Sequence, residues 1–236
     1  MTLLPENRER LKSVSTATLT TVLFKRGLRN VFIQGVFALT KPGTGMVGEA
    51  YTLRYIPARE DLDTLGAFEG RGHPQREAIE ACPPGQVLVM DGRRDASAAT
   101  GGNILLQRLA MRGVAGLVTD AGLRDTPTIE ALRLPVYCAA RSAPLNLVRH
   151  HAVESQVPIG CGGVAVYPGD IAVGDGEGVV IIPAKIADEV AGEAAAQSEF
   201  EDWVEARVAE GRGIFGLYPP DAKTRAEFEA WKKGRR

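Results

Sequence analysis

The apolar positions of this chain change period along its length, and each change marks out an element. Over residues 5–12 and 15–26, Leu11, Val14, Leu19, Val22 and Leu23 recur at helical spacing, and Gly27 stands where a helix would be capped. This pattern predicts two N-terminal helices. From Val31 the texture becomes short apolar or alternating runs punctuated by Gly and Pro, at residues 37–39, 46–55, 87–90, 116–119 and 136–138. These runs predict strands. Helical stretches at 62–68, 103–112 and 128–132 lie between them, so strands and helices alternate, as in an α/β layer arrangement.

Beyond Ala152 the segment VPIGCGGVAVYPGDIAVGDGEGVVIIP predicts several short strands joined by tight turns at Pro168-Gly169-Asp170 and Asp175-Gly176-Glu177-Gly178, enough for a second sheet or a barrel wall. A long alanine- and glutamate-rich helix follows over 185–210, with apolar Ile186, Val190, Phe200, Trp203, Val204 and Val208, and stops at Gly211-Arg212-Gly213. The stretch after Pro219 reads as a second, exposed helix. No internal repeat or low-complexity linker interrupts the pattern. A single domain over 1–236 is expected, with a core at about 15–185 and C-terminal helices at about 185–236.

Composition narrows the function. With 236 residues, 44% hydrophobic and 24% charged, the chain can bury a sizeable core. Its net charge of -1 lacks the basic surface that a nucleic-acid partner demands. Cys82, Cys138 and Cys161 are an odd number without CxxC spacing, which argues for buried packing residues over a disulfide framework or a thiolate zinc site. The N-terminus lacks a long apolar signal region and no run of about 18 apolar residues occurs, so a cytoplasmic protein without a membrane partner is expected.

Two segments carry candidate chemistry. Gly101-Gly102-Asn103 opens a predicted helix, where free backbone N–H groups and the positive end of the helix dipole meet an anion, with Asn103 as a favoured N-cap. The segment lacks both G-x-G-x-x-G and the Lys-Ser/Thr of a P-loop, which excludes both nucleotide fingerprints and a glycine motif for S-adenosylmethionine. Arg124-Asp125 follows the apolar run 114–118 at the expected end of a strand, and supplies a guanidinium fork beside a hard oxygen ligand. Taken as bare features, these are also what a capped helix and a solvated ion pair look like. Their position at strand ends of an α/β protein points instead to a metal-assisted reaction on a small keto acid. No lysine lies between Lys41 and Lys185, which fits a metal better than an imine as electron sink. His150 and His151 are adjacent on a predicted helix and point to different faces, so they are poor co-ligands. Arg54, Arg59, Glu60, Asp61 and Asp63 after a strand, and the turn Asp91-Gly92-Arg93-Arg94-Asp95, are further pocket-wall candidates.

The order Gly102-Asn103-Ile104-Leu105, then Val118-Thr119-Asp120-Ala121-Gly122, Arg124-Asp125 and Leu134-Pro135-Val136-Tyr137 resembles the RraA-like superfamily, which includes the 4-hydroxy-4-methyl-2-oxoglutarate / 4-carboxy-4-hydroxy-2-oxoadipate aldolases. GGVAVYPGDIAVGDGEGVVIIP is similar to a second motif block of that family, and the resemblance covers roughly residues 15–210. It implies a three-layer swivelling β/β/α fold with N-terminal helices and a long C-terminal helical extension, assembled into homotrimers or hexamers. It implies a Mg²⁺- or Mn²⁺-dependent lyase acting on a small 2-keto acid. Asp125 would be the metal ligand and Arg124 would bind the pyruvyl part of the substrate. Backbone groups around Gly102, Asn103, Ile104 and Leu105 would hold its carboxylate. An acid from a neighbouring subunit's C-terminal helix, Glu201 first or Glu199 second, would order metal-bound waters. The family pattern often places acids where this chain has Asn103 and Thr128, so oxaloacetate decarboxylation stands beside aldol cleavage. The same superfamily includes regulators that act on a ribonuclease by protein contact, and binding to an RNase or helicase is the alternative.

Overall fold

The computed structural model describes residues 3–41 and 45–235. Two helices lead in: α1 (Pro5–Ser13), and α2 (Thr16–Lys25), whose N-cap Ser15 accepts the amide of Thr18. The strands that follow are β1 (Phe37–Ala38), β2 (Met46–Pro57), β3 (Val87–Asp91), β4 (Gly116–Thr119), β5 (Gly122–Leu123), β6 (Val136–Cys138) and β7 (Ala140–Arg141). Interleaved with them are α3 (Pro74–Ala81), α4 (Asn103–Met111) and the short α5 (Thr126–Ile129). Then come β8 (His150–Ser155), β9 (Ile159–Cys161), β10 (Val164–Val166), β11 (Ile171–Gly174), β12 (Val179–Ile182), α6 (Ala187–Ala209) and α7 (Ala222–Gly234).

The main sheet runs β1-β6-β4-β3-β2-β11-β12, with β8 also paired to β2. Strands β2, β3, β4 and β6 are parallel, and helices α3 and α4 fill the crossovers β2→β3 and β3→β4. Successive side chains point to opposite faces. On β3 and β4, Leu88, Met90 and Leu117 therefore pack with Ala78 and Ile79 of α3 and Leu106 and Leu109 of α4. Val87, Val89 and Val118 face the other way, against Ile159 and Cys161 of β9 and Val164 and Val166 of β10. Helix layer, main sheet and small β9–β10 sheet are the expected β/β/α layers. A further apolar cluster joins α1, α2 and α6 to β11 and β12, and aromatic residues Trp203, Phe228 and Trp231 tie α7 to the end of α6.

Several sequence expectations change in detail. Of the C-terminal strands, β9 and β10 form the expected second sheet, while β11 pairs antiparallel with Met46–Glu49 of β2 and, with β12, extends the main sheet instead of adding a separate wall. Residues 62–68 form only a 3-10 turn, Leu65–Phe68, with no buried residue to anchor a longer helix. His150 and His151 lie on strand β8, where pairing with β2 overrides local helical preference. All three cysteines are buried and free, as expected. No helix among the described residues is long and apolar enough to cross a membrane.

Candidate active site

The site forms where the loops after β3 and β4 meet. Because Met90 and Thr119 are register partners, both loops leave the same edge of the sheet. A short parallel zipper then joins them. Ala99 bridges Gly122, the Thr100 amide donates to Gly122 O at 2.9 Å, and the Arg124 amide donates to Gly101 O at 3.0 Å. Buried Gln75 holds the first loop from the helix layer, its Nε2 donating to Thr100 O at 2.6 Å. The zipper sets Gly102 beside Arg124-Asp125. Gly102 has an extended backbone, open to any residue, yet a Cβ there would lie 2.7 Å from Asp125 Oδ2 and 2.9 Å from Arg124 Cγ. Glycine is favoured here by this close approach, not by a turn.

Helix α4 begins one residue earlier in its capping than expected. Gly102 is the N-cap and Asn103 is the first helical residue, so Asn103 does not cap through its side chain. Instead the Asn103 amide donates to Asp125 Oδ2 at 3.3 Å, which uses a carboxylate from the neighbouring loop in the capping role. Leu105 and Leu106 direct their amides to Gly102 O, at 3.1 and 3.2 Å, while the Ile104 amide makes no hydrogen bond among the described residues. Ile104 is itself highly exposed. One free amide and the helix dipole thus face whatever anion approaches this end.

Asp125 adopts left-handed backbone geometry, φ 56 and ψ 29, a conformation that Asp tolerates better than most residues. Its Oδ2 lies 3.6 Å from Arg124 Nε, and both side chains are a little under half exposed. An ion pair this open contributes at most about 1 kcal/mol, so its value is placement of two unlike charges at one spot. Both side chains line a cavity of about 440 Å³ together with Gly101, Gly102, Ile104 and Leu105. Gln75, Arg76 and Asn146 supply further polar lining, and Leu65, Phe68 and Leu145 supply apolar lining. None of Gln75, Arg76 and Asn146 carried a motif in the sequence. Their part in the cavity arises from tertiary packing.

Other expected residues lie elsewhere. Glu201 accepts from Thr18 Oγ1 at 2.6 Å, Gln197 Nε2 at 2.8 Å and Tyr218 Oη at 2.9 Å of its own chain, and Glu199 pairs with Lys232 at 3.2 Å. Neither lines the cavity of its own chain, and nor does Thr128. Arg54, within β2, pairs with Glu154 of β8, and of the charged residues after β2, Arg59 pairs with Asp61 and Asp63 with His151 of β8, all away from the cavity. The Asp91–Asp95 turn is held by Asp120, whose carboxylate accepts the amides of Gly92, Arg94 and Gly162 at 2.7, 3.2 and 2.9 Å. It braces the loop behind the site without lining the cavity.

A mixed α/β sheet whose parallel strands end beside a helix start and an Arg-Asp pair has the layout of α/β proteins that bind ligands at strand ends. The chain belongs to the RraA-like family (Aldolase/RraA), whose model matches residues 16–181. It is 34% identical over 128 residues to a protein of Halalkalibacterium halodurans named "Putative 4-hydroxy-4-methyl-2-oxoglutarate aldolase", covering 54% of this chain and 58% of that one. It is 29% identical to Protein DlpA of Legionella pneumophila, over 76% of this chain and 28% of the relative. The matches therefore span less than two thirds of these relatives' own lengths. Among solved structures, it superimposes with a TM-score of 0.76 and 28% identity on Streptomyces coelicolor RraAS2, described as an unusual member of the RNase ES inhibitor RraA protein family, covering 87% of this chain and 98% of that one.

Proposed function

We propose that this chain is a divalent-metal-dependent lyase that acts on a small 2-keto acid through a pyruvate enolate, by aldol cleavage of a 4-hydroxy-2-keto diacid, by oxaloacetate decarboxylation, or by both. The observation that carries this reading is the meeting of Arg124, Asp125 and the free end of α4 in one cavity. Aldolase-named relatives support it at the level of the family.

The residues present fit a particular kind of cation. No group of three or more His, Cys, Asp or Glu side chains is placed to hold a metal among the described residues, so a closed cage of the zinc type is not what this site offers. Asp125 offers one half-exposed carboxylate with Oδ1 free of hydrogen bonds among the described residues. A single hard oxygen ligand suits Mg²⁺ or Mn²⁺, which keep most of their water. When bound, the cation supplies Lewis-acid polarisation of the keto oxygen. The chain's own groups do the rest. The Ile104 amide and the α4 dipole attract the carboxylate next to the keto group. The Arg124 guanidinium, whose backbone is anchored to Gly101 and whose Nε lies 3.6 Å from Asp125 Oδ2, donates to the oxygen on which negative charge develops as the carbon–carbon bond breaks. Because Glu201 and Glu199 do not line their own chain's cavity, any part they take comes from a neighbouring copy, in the homotrimer or hexamer this reading includes.

The deciding assay is pyruvate release from oxaloacetate and from 4-hydroxy-2-keto diacids by purified protein with Mg²⁺ or Mn²⁺. Turnover that EDTA abolishes and Asp125→Ala eliminates is expected, and no metal-dependent turnover on any of these substrates removes the reading. The likeness to RraAS2 favours a second reading, a regulator that binds an RNase or helicase by protein contact. Recovery of such a partner in a pull-down, unaffected by Asp125→Ala, would establish it.

A further inference from the structure

Between Tyr55 of β2 and Gln75 of α3 the chain runs over residues 56–74 without burying one of them. Ordering a segment costs conformational entropy at every residue, and burial is what usually offsets that cost. A stretch without it sits at the low-stability end of a fold. This one nevertheless reaches the Asp125 cavity, where Leu65 and Phe68 form part of the wall.

Little ties it down. The backbone hydrogen bonds within residues 59–72 are local: the Leu62 and Asp63 amides donate to Arg59 O, the Ala67 amide to Thr64 O and the Glu69 amide to Gly66 O. Among the described residues one hydrogen bond leaves the segment, from His151 Nδ1 on β8 to Asp63 Oδ1 at 2.8 Å. A carboxylate only accepts, so His151 carries its proton on Nδ1. The other oxygen, Asp63 Oδ2, accepts the Arg59 amide at 2.8 Å, and the side chain is 2% exposed. A solvated loop thus turns a single acid inward onto a strand of the main sheet. Beyond it the Phe68 ring packs 4.9 Å from the His73 ring and 4.5 Å from the Arg76 guanidinium. Gly70 and Gly72 then hold positive φ, 73 and 107, with nothing within 4 Å of where a Cβ would stand. The backbone turns there without meeting a neighbour. At the other end the Ala58 amide is fixed to Arg149 O at 3.0 Å.

We propose that residues 59–72 are a lid over the Asp125 cavity, latched by Asp63 and His151 and pivoting at Gly70 and Gly72, so that breaking the latch lifts Leu65 and Phe68 from the cavity wall. Neither latch residue lines the cavity, so the pair controls access and the exclusion of water, not the chemistry. That the lid closes over a ligand rests on the lyase reading. The latch itself does not.

Trypsin reads the opening directly, because Arg59 and Arg71 are both exposed and bracket the lid. Cleavage at these two sites, and deuterium uptake of peptides covering 59–72, are measured on wild type, His151→Ala, His151→Asn, Asp63→Ala and the double alanine variant. Both rates should rise about tenfold in His151→Ala and in Asp63→Ala, the scale of one hydrogen bond to a charged group. The double variant should open no faster than Asp63→Ala alone. His151→Asn keeps an N–H donor in the place of Nδ1 and should recover part of the loss, while uptake in β2 and β8 stays unchanged in every variant. Wild-type cleavage in His151→Ala, additive effects in the double variant, or uptake that rises equally through β2 and β8 overturns the latch. Pyruvate with Mg²⁺ tests the closure: its binding, followed by calorimetry, should lower uptake over 59–72 several-fold in wild type, and binding without that protection overturns the lid. Failure of pyruvate to bind at all marks the failure of the lyase reading, and the lid then stands or falls on the trypsin result.

Discussion

Replacing Gly102 by Ala separates the architecture of this site from its chemistry. The backbone there has φ −142 and ψ 179, which alanine adopts without strain. The added methyl would sit 2.7 Å from Asp125 Oδ2, 2.9 Å from Arg124 Cγ and 3.3 Å from Arg124 Cδ. Non-bonded heavy atoms rest at about 3.5–4.0 Å, so both side chains must retreat by roughly 1 Å. They are free to do so, because each is nearly half exposed. The cost to folding is therefore that of adjusted rotamers, about 0.5–1.5 kcal/mol. Catalysis has no such tolerance, since a misplacement of about 1 Å at reacting groups can cost 10²-fold. Gly102→Ala should thus keep a melting temperature within a few degrees of wild type while kcat/KM for Mn²⁺-dependent pyruvate release falls about 10- to 100-fold, or about 1.4–2.7 kcal/mol of transition-state stabilisation. Wild-type kcat/KM in this variant would refute the placement argument. A stability loss above about 3 kcal/mol would show that backbone, rather than side chains, absorbs the clash.

Three further outcomes are expected. Asp125→Asn should remove metal-stimulated turnover and leave thermal unfolding nearly unchanged, because the side chain is close to half exposed; retention of metal dependence would move the cation elsewhere. Asp120→Ala should lower stability in urea by at least roughly 3 kcal/mol, since it strips acceptors from three backbone amides beside a carboxylate only 2% exposed, and a loss under about 1 kcal/mol would show that water replaces them. His150 is fully buried, with Nδ1 facing the donor-only Arg93 guanidinium and Nε2 facing Ala98 O, which fixes a neutral ring; burial first, and Arg93 after it, holds its pKa below the ordinary 6.5. As pH falls through that value the unfolded chain takes up a proton that the folded one refuses, so the melting temperature should fall between pH 7 and pH 5, and fall less in His150→Gln. An equal fall in the variant assigns the effect to other groups.

The sequence alone determined the elements whose signals are local. Repeating Leu and Val at helical spacing located α2, alternation and Gly/Pro punctuation located β2, β3, β4 and β6, and the alanine-rich run with its Gly-Arg-Gly stop located α6 to within two residues at its start and one at its end. It also exposed Gly101-Gly102-Asn103 and Arg124-Asp125 as candidates, because glycine before a helix and a charged pair after a strand are each visible in a few consecutive residues. Tertiary structure alone decided what those residues do together. Asn103 and Asp125, 22 positions apart, close into one hydrogen bond only because parallel pairing of β3 with β4 delivers both loops to the same edge. Strand pairing likewise drew His150 and His151 into β8, and close approach assigned glycine at 102 a steric role that a capping argument does not contain. Gln75, Arg76 and Asn146 left no mark in the sequence, since their significance lies in burial and shared space. Those properties depend on contacts between distant segments, which local spacing does not encode.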